Sequence, residues 1–361
     1  MVRDRNTARI ENVLARFPDW GVEAFLFFDL NNVRYLTGFS GSEGVLILGP
    51  GRKVRLLIDG RYTIQAKKET RGADLVHMAE KVETVAAMLA DEAAMVVGFE
   101  EAAVSARLHR LLQEKCRRVR FKAVDDNIDL LRAVKDRRES GLIRKAAEIA
   151  ALSLQSVLPL IKPGVRERDI ALELEYRMRK NGADGVAFNT IVASGPNAAL
   201  PHARAGLRKF VLGDAVIIDY GAVCGGYRSD ETCTFFVGRV ESDLKAVYGL
   251  VKEAHDRAIA AATAGRPCRE VDAAARECIA RQGWEDGFNH GTGHGVGLNV
   301  HEAPALSPRS NHRLEPGMVV TVEPGIYLPN KWGIRIEDTI RITRAKAEIL
   351  TQVPKALTVL G

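Results

Sequence analysis

The sequence predicts an α/β (α+β) protein with a smaller N-terminal α/β domain and a larger C-terminal domain that contains an internal pseudo-twofold duplication. Three observations predict this fold class. The 361 residues exceed the size at which one hydrophobic core keeps growing. Strand and helix patterns alternate over roughly the first third of the chain, and one segment of the remainder occurs twice.

The N-terminal domain is predicted from the periodicity of its apolar residues. Amphipathic patterns predict helices at residues 7–17, 63–69, 82–90 and 106–115, and short apolar runs predict strands at residues 24–28, 45–48, 54–58, 75–77 and 95–99. This alternation is typical of a mixed or parallel sheet covered by helices. The charged segment at residues 125–140 is the best boundary, so we place the domains at residues 1–130 and 131–361.

The duplication lies in the second domain. Residues 164–182 align without gaps with residues 265–283, so that Gly164 matches Gly265 and Gly182 matches Gly283. Each copy follows an apolar helix, predicted at about 138–161 and 243–263, and each is followed by two strands. The identities are few, and chance similarity between two amphipathic helices is the alternative. The repeated order of elements favours two packed halves with a cleft between them.

Composition excludes several classes of protein. The chain is 46% apolar and 27% charged with a net charge of +6, and its basic residues form only short clusters such as residues 117–120 and 135–138. A solvated helical face explains these clusters better than the concentrated stripe that nucleic acid requires. The N-terminus lacks an apolar signal segment, no apolar run approaches a membrane span, and the five cysteines show no CxxC pair. We therefore predict a cytoplasmic protein with reduced thiols and with neither nucleic-acid nor membrane partners.

A glycine-rich segment at residues 289–302 contains His290, His294 and His301. Glycine is used where backbone must approach another group closely. The alternating spacing of these glycines matches neither GxGxxG nor GxxxxGK[ST], which argues against a phosphate loop. Histidines in such a segment indicate a metal or proton-transfer site, and a glycine-rich turn with incidental histidines is the alternative.

Acidic residues for such a site occur in a predicted hairpin at residues 214–238, whose Gly-Gly pair at residues 225–226 is a strong turn signal. Centring the turn there places Asp219 opposite Thr232, with Asp230 on the same face and diagonally across. Diagonal neighbours lie about 7–8 Å apart, within joint reach of one ion. Asp219 interrupts an apolar run, and a carboxylate buried there needs a cation or a change of protonation state. An edge hairpin with surface aspartates is the alternative.

A second predicted hairpin, at residues 317–343, offers another pair of acids. In its return strand Arg335 and Glu337 project from the polar face, opposite a face of isoleucines. With the loop centred near Asn330, Glu323 lies directly across from Glu337. A loop one residue different would break this register.

Together the hairpins and His294 supply four carboxylates and one imidazole. This charge suits two divalent cations, whose formal charge the four acids cancel. An oxygen-rich set with a single nitrogen favours Mn²⁺ over Zn²⁺, and Co²⁺ or Fe²⁺ also fit. Two such ions sharing a water generate hydroxide near neutral pH and clamp both oxygens of a hydrolytic transition state.

Five motifs in order, "VIIDYGA", "SDETCTF", "HGTGHGVGLNVHE", "TVEPGIY" and "GIRIEDT", are specific as a set. On them the whole chain resembles the metal-dependent Xaa-Pro peptidases, the aminopeptidase P and prolidase group with the pita-bread fold. The resemblance implies an N-terminal domain of the creatinase/prolidase type and a pita-bread catalytic domain. It also implies a homodimer and a dinuclear exopeptidase that cleaves the Xaa-Pro bond at the N-terminus of peptides or in Xaa-Pro dipeptides.

The resemblance also implies the roles of the five ligand residues. Asp219 would bind one metal at one end of the pair, and His294 and Glu323 would bind the other. Asp230 and Glu337 would bridge both ions. Glu323 would also handle the proton of the attacking water.

Four further residues match positions around the substrate in the family. His202 would contact the substrate near the scissile bond, and His301 would stabilise the developing oxyanion. His290 would line the proline side of the site, and Arg335 would lie beside the metal ligands or touch the substrate. A purely structural role is the alternative for each of these four.

The chain departs from the pattern at Cys233, where many relatives have arginine. Strand alternation should point this side chain away from Thr232 and the metal face, so we expect altered packing and retained activity. Two other functions stay open: a metal-free creatinase-like hydrolase and a non-catalytic binding relative. The sequence also leaves dipeptidase and aminopeptidase specificity open.

Overall fold

The computed structural model describes residues 5–124 and 127–361, so the first two residues of the predicted boundary segment lie outside the described residues. The chain forms two compact units, Met1–Arg132 and Ala133–Gly361. Each unit has its own core and is described by itself.

The N-terminal unit is built on a six-stranded mixed sheet. Its strands are β1 (Ala24–Phe27), β2 (Val45–Leu48), β3 (Val54–Ile58), β4 (Asp74–His77), β5 (Val96–Glu100) and β6 (Arg120–Val124). They lie in the order β4-β3-β2-β1-β5-β6, with β2 antiparallel to both of its neighbours and the other pairs parallel. This agrees with the mixed sheet that the alternating pattern predicts.

Helices cover this sheet on both faces. They are α1 (Arg5–Leu14), α2 (Phe17–Trp20), α3 (Leu30–Thr37), α4 (Thr63–Glu69), α5 (Lys81–Glu92), α6 (Ala106–Lys115) and α7 (Asn127–Ala133). Along β1, Phe25 and Phe27 belong to one hydrophobic cluster while Ala24 and Leu26 belong to another. A sheet buried on both faces explains why β1 and β2 are continuous apolar runs.

The prediction lacks helices α2, α3 and α7 and strand β6. Helix α3 has only eight residues. The Asp29 side chain caps its N-terminus by accepting a hydrogen bond from the Asn31 backbone N–H, and Gly38 ends it in the left-handed conformation. Strand β6 is largely exposed and carries basic residues. The basic cluster at residues 117–120 therefore leads into an edge strand, and its prediction as a solvated helical face was wrong. Pairing with β5, a long-range contact, decides this conformation.

The C-terminal unit contains four long helices and fourteen strands. The helices are α8 (Arg137–Val157), α9 (Glu167–Lys180), α10 (Ser242–Ala261) and α11 (Cys268–Ala280). The strands are β7 (Gly185–Val186), β8 (Ile191–Ser194), β9 (Ala215–Tyr220), β10 (Ala222–Cys224), β11 (Tyr227–Arg228), β12 (Glu231–Val237), β13 (Gly293–Gly295), β14 (Glu302–Leu306), β15 (Val319–Val322), β16 (Gly325–Leu328), β17 (Trp332–Arg335), β18 (Asp338–Arg341), β19 (Glu348–Ile349) and β20 (Val359–Leu360).

These strands form two principal sheets, one from each predicted half. One has the order β20-β12-β9-β8 and the other the order β14-β13-β15-β18-β19. Two large hydrophobic clusters pack helices against the sheets: α8 and α9 against the first, α10 and α11 against the second.

The structure confirms the duplication. The aligned glycines share a left-handed backbone, with φ of 89° at Gly164 and 83° at Gly265. Helices α9 and α11 begin at equivalent positions, and the bridge between Arg166 and Lys209 has its counterpart between Pro267 and Arg313. Agreement in the turns before each helix, where few residues are identical, makes chance similarity untenable.

The structure gives information on two predictions from composition, those about membrane spans and about the cysteines. Within residues 5–124 and 127–361, no helix is long and apolar enough to cross a membrane. All five cysteines lie in the described part of the chain, and none of them forms a disulfide bond there. Cys233 is buried in the core on the side opposite Thr232, which confirms its predicted orientation.

Candidate metal centre and active site

A cleft of about 620 Å³ in the C-terminal unit brings the predicted site residues together. Its volume falls within the range of small-molecule sites. Every one of the nine predicted residues lines it: His202, Asp219, Asp230, His290, His294, His301, Glu323, Arg335 and Glu337. These residues come from both halves of the duplication, so the cleft depends on their association.

The first hairpin positions two of the acids as predicted. Asp219 on β9 pairs with Thr232 on β12, and Asp230 directly precedes β12. The same register continues through β10 and β11, where Val223 pairs with Arg228. The hairpin is divided between two sheets, but its turn at residues 225–226 sets one register for both parts. Asp230 is 4% exposed, which excludes a surface edge hairpin at this position.

The second hairpin also has the predicted register. Gly325 pairs with Arg335 in one ladder and Val322 pairs with Asp338 in the other, so both ladders are centred on Asn330. Glu323 and Glu337 lie opposite each other in the gap between these ladders. This gap leaves the backbone N–H of Glu337 without a partner in its own hairpin.

Hydrogen bonds between the hairpins fill that gap. The Glu337 backbone N–H donates to the Thr232 carbonyl at 3.1 Å, and the Thr232 hydroxyl donates to Glu337 Oε2 at 2.6 Å. The Thr339 hydroxyl donates to the Asp230 carbonyl at 2.7 Å. Hydrogen bonds between the strands that carry the acids therefore join the acidic pair of one half to that of the other.

His294 lies on β13, within the glycine-rich segment. A Cβ atom at Gly293 would lie 2.0 Å from the Thr321 carbonyl oxygen, so only glycine permits this approach to β15. His294 Nδ1 lies 3.0 Å from the Gly295 carbonyl oxygen and can donate to it. The other nitrogen, Nε2, then faces the acids, 3.3 Å from Glu323 Oε1 and 3.7 Å from Asp230 Oδ2. Fixing one ring nitrogen on a carbonyl in this way leaves the other free for a metal.

The donor atoms converge as a divalent cation requires. One ligand atom from each of Asp230, His294 and Glu337 lies within 4.8 Å of the other two. Asp219 Oδ1 is buried and has no hydrogen-bond partner within the described residues. A buried acceptor without a partner costs free energy unless a cation compensates it. The residues therefore fit the predicted metal centre.

Electrostatics supports the same conclusion. Burial, together with the neighbouring carboxylates, raises the pKa of Asp230 and of Glu337 well above its ordinary value. Burial also raises the pKa of Asp219, against the opposing charge of Arg335. Burial opposes the ionisation of Glu323, but the hydrogen bond and charge of His294 outweigh it and lower the pKa to about 2. Clustered acids of this kind hold protons until a cation replaces them.

Arg335 organises the surroundings of these acids. Its guanidinium is buried and donates to Asp219 Oδ2 at 2.6 Å and to the Tyr327 hydroxyl at 2.9 Å. It also donates to the Thr232 hydroxyl and to the Pro201 carbonyl, both at 3.1 Å. This placement beside the metal ligands is one of the two that the sequence left open.

The three remaining histidines lie around the acids in different environments. His290 contacts the Gly291 carbonyl through Nδ1 and the Tyr327 hydroxyl through Nε2, at 2.8 and 3.0 Å. The ring of His301 is exposed and lies 4.2 Å from the ring of His294. Burial lowers the pKa of His290, and partial burial together with the neighbouring His294 lowers the pKa of His301, so both rings are neutral at pH 7. His202 is exposed at the cleft, next to the proline whose carbonyl binds Arg335.

The prediction lacks Tyr327, which contacts cleft residues from behind, and Arg204, which lines the cleft. Tyr327, on β16, contacts both Arg335 and His290, and burial raises its pKa to about 12. The register centred on Asn330 could have predicted the contact between Tyr327 and Arg335, because it pairs β16 with β17. Arg204 lines the cleft two residues after His202, and no local pattern distinguishes it from other surface arginines.

The sequence matches two family descriptions that together span most of the chain. Residues 141–344 match Metallopeptidase family M24, and residues 9–134 match the Creatinase/Prolidase N-terminal domain. A relative described as an Xaa-Pro dipeptidase from Pyrococcus furiosus is 36% identical over 97% of this chain and 99% of its own length.

Solved structures agree with these matches. An Xaa-Pro dipeptidase from Bacillus anthracis superposes with a TM-score of 0.96 at 37% identity, covering 98% of this chain and all of the other. An X-Pro aminopeptidase from Thermotoga maritima superposes with a TM-score of 0.89 at 36% identity, covering 97% of this chain and 99% of the other. The chain therefore belongs to metallopeptidase family M24, with a creatinase/prolidase N-terminal domain and the pita-bread fold.

Proposed function

We propose that the protein is a dinuclear metal-dependent exopeptidase that hydrolyses the bond between an N-terminal residue and proline, with Xaa-Pro dipeptides as its preferred substrates. The observation that carries this proposal is the convergence of four carboxylates and the free nitrogen of one imidazole in one cleft. The oxygen-rich donor set supports Mn²⁺ as the metal.

Five residues would hold the two ions: Asp219 at one end, His294 and Glu323 at the other, and Asp230 with Glu337 between them. Ions bound there would supply Lewis acidity and lower the pKa of a shared water to near neutrality. The chain itself contributes the alignment of this set. Thr232 donates to Glu337, and Arg335 donates to Asp219, so two of the carboxylates are oriented before any ion binds.

Proton transfer and charge stabilisation fall to side chains in the cleft. His294 keeps Glu323 ionised at neutral pH, and Glu323 lines the cleft, where it would take up the proton of the attacking water. His301 is neutral at pH 7 and can donate an N–H to the oxyanion that develops on the scissile carbonyl. His202 lines the cleft beside these groups and would contact the substrate near the same bond.

Proline recognition would rest on His290 and its surroundings. The ring of His290 contacts the rings of Phe288 and Tyr327, with centroid distances of 5.1 and 5.5 Å. A proline nitrogen in a peptide bond has no N–H and its ring fixes φ, so the residue is recognised by shape and apolar contact. The neutral ring of His290, which lines the cleft and packs against these two buried rings, would supply that contact.

Arg204 supports the preference for dipeptides. It lines the cleft, and within the described residues its guanidinium forms no hydrogen bond or ion pair. Arg335, the other arginine of the cleft, is buried and occupied by Asp219. Arg204 can therefore bind the C-terminal carboxylate that proline carries in a dipeptide and that a longer peptide carries further away.

The test compares Ala-Pro with Ala-Pro-Ala after reconstitution with Mn²⁺. We expect a higher kcat/KM for Ala-Pro, and a KM for Ala-Pro that rises about tenfold in Arg204→Gln, since a charge-assisted hydrogen bond contributes about 1.5–3 kcal/mol. Lys209→Gln, an exposed charge nearby that does not line the cleft, is the matched control. Equal effects of Arg204→Gln on both peptides would contradict the carboxylate assignment.

Two results would favour the other functions. A protein that binds no Mn²⁺ in titration would support a metal-free, creatinase-like hydrolase. A protein that binds Mn²⁺ but cleaves neither peptide would support a non-catalytic relative. The homodimer and the cytoplasmic location stay predictions.

A further inference from the structure

Behind the ligands lies a second polar cluster, which the proposed reaction does not use. Strand alternation turns the neighbours of the ligands away from the cleft. Glu231 follows Asp230 and Asp338 follows Glu337, and both point into the protein, where they are 1% and 4% exposed. Each half of the duplication therefore carries a buried acid one residue from a proposed bridging ligand.

One lysine joins these two acids. Lys355, in the segment between β19 and β20, lies with its Nζ 2.5 Å from Glu231 Oε1 and 3.3 Å from Asp338 Oδ1. Its side chain is 5% exposed. A buried ammonium group is costly unless it is paired, and here one group is shared between the two hairpins.

The remaining contacts of these acids are also made inside the protein. The Tyr220 hydroxyl donates to Glu231 at 2.8 Å, and the Thr351 hydroxyl donates to Asp338 at 2.6 Å. The Val353 backbone N–H donates to Glu231 at 3.1 Å. His255 Nε2 lies 3.2 Å from the second oxygen of Asp338. The contacts of the C-terminal segment, at residues 351, 353 and 355, thus reach both halves at once.

We propose that Lys355 is a positioning residue of the metal centre, which holds Asp230 and Glu337 at the separation required for bridging two ions. Consecutive Cα atoms are about 3.8 Å apart, so a displacement of Glu231 or Asp338 is transmitted directly to the adjacent ligand. Without the lysine, two buried carboxylates would face each other with no shared cation, and their repulsion would spread the hairpins. This inference rests on the proposed function, because it concerns the same bridging ligands.

The experiment titrates chelator-treated protein with Mn²⁺ by calorimetry and measures the melting temperature of each variant in parallel. We expect Lys355→Met to bind Mn²⁺ at least tenfold more weakly than the wild type at a temperature where both are folded. Lys355→Arg, which keeps the charge, should recover most of that loss.

A control variant separates positioning from general destabilisation. Arg55 of the N-terminal unit pairs with Glu92, whose side chain is 1% exposed, so Arg55→Met removes a cation from a buried carboxylate of the other compact unit. We expect Arg55→Met to melt at a lower temperature and to bind Mn²⁺ as the wild type does. An equal loss of affinity in Arg55→Met would overturn the inference.

A second variant keeps the test decisive if Lys355→Met does not fold. The double variant Glu231→Gln/Lys355→Met removes one charge of each sign and leaves Asp338 with Thr351 and His255. The repulsion between the two carboxylates is then relieved, but the ion pair that joins the two hairpins is still missing, so this variant should bind Mn²⁺ more weakly than the wild type and by a smaller factor than Lys355→Met. Wild-type affinity in either folded variant would overturn the role of Lys355 alone, whereas a wild-type protein that binds no Mn²⁺ would overturn the proposed function and this inference together.

Discussion

Replacing Arg335 with methionine tests the electrostatic account of the metal-free site. The guanidinium is 4% exposed and lies 2.6 Å from Asp219, whose side chain is 15% exposed. Methionine has a similar length but cannot pair with the carboxylate. The variant would leave Asp219 buried beside Glu323 with no cation, while the hydroxyls of Tyr327 and Thr232 would lose a donor.

The expected cost is large. Removing one partner of a buried ion pair costs about 3–5 kcal/mol. In a unit of this size about 1 kcal/mol shifts the melting temperature by roughly 2–4 °C, so we expect a fall of roughly 6–20 °C for the C-terminal unit. The assay is calorimetric melting with a chelator present at pH 5 and pH 8. The pKa of Asp219 is already raised in the folded wild type, and losing the guanidinium raises it further. The folded variant thus binds its proton more tightly than the unfolded chain, and the cost grows as pH rises.

The double variant Asp219→Asn/Arg335→Met completes the test. It contains no unpaired carboxylate at this position, so it should be more stable than the sum of the single variants by about 2 kcal/mol or more. A loss below about 1 kcal/mol in Arg335→Met at pH 8, or strict additivity in the double variant, would refute the reasoning.

Three further predictions concern the ligands and the loop that carries the histidine. Asp230→Ala and Glu337→Ala should each lose Mn²⁺ binding in titration and at least about 100-fold in kcat/KM, and a variant with full activity would contradict the bridging assignment. In chelator, the raised pKa of Glu337 makes the folded state bind its proton more tightly than the unfolded chain, so Glu337→Gln should gain stability relative to the wild type as pH rises above about 4; a difference in melting temperature that does not change with pH would contradict this. Gly293→Ala should lower the melting temperature and weaken Mn²⁺ binding, since the new Cβ would lie 2.0 Å from the Thr321 carbonyl oxygen. Gly249→Ala, with open space around its Cβ inside α10, should instead be neutral or stabilising by up to about 1 kcal/mol, and similar losses in both variants would contradict the steric explanation.

Local sequence determined the register of each hairpin. The glycine pair at residues 225–226 allowed one tight turn, which places Asp219 opposite Thr232, and the second turn centred on Asn330 places Glu323 opposite Glu337. These are contacts between residues close in the chain, where turn chemistry and the two-residue period of a strand suffice. The long helices and the duplication were predictable for the same reason, since each depends on a periodicity visible within one segment.

Only the tertiary structure decided what connects the two halves. The hydrogen bonds between Thr232 and Glu337 and the ion pair between Lys355 and Glu231 join residues more than a hundred positions apart. No pattern within a segment records such contacts, because they follow from the packing of one sheet against another. The sequence alone thus determined which carboxylates share a strand face. The association of the halves decided that those faces meet in one cleft and that Lys355 pairs with the acids on the opposite faces of the same strands.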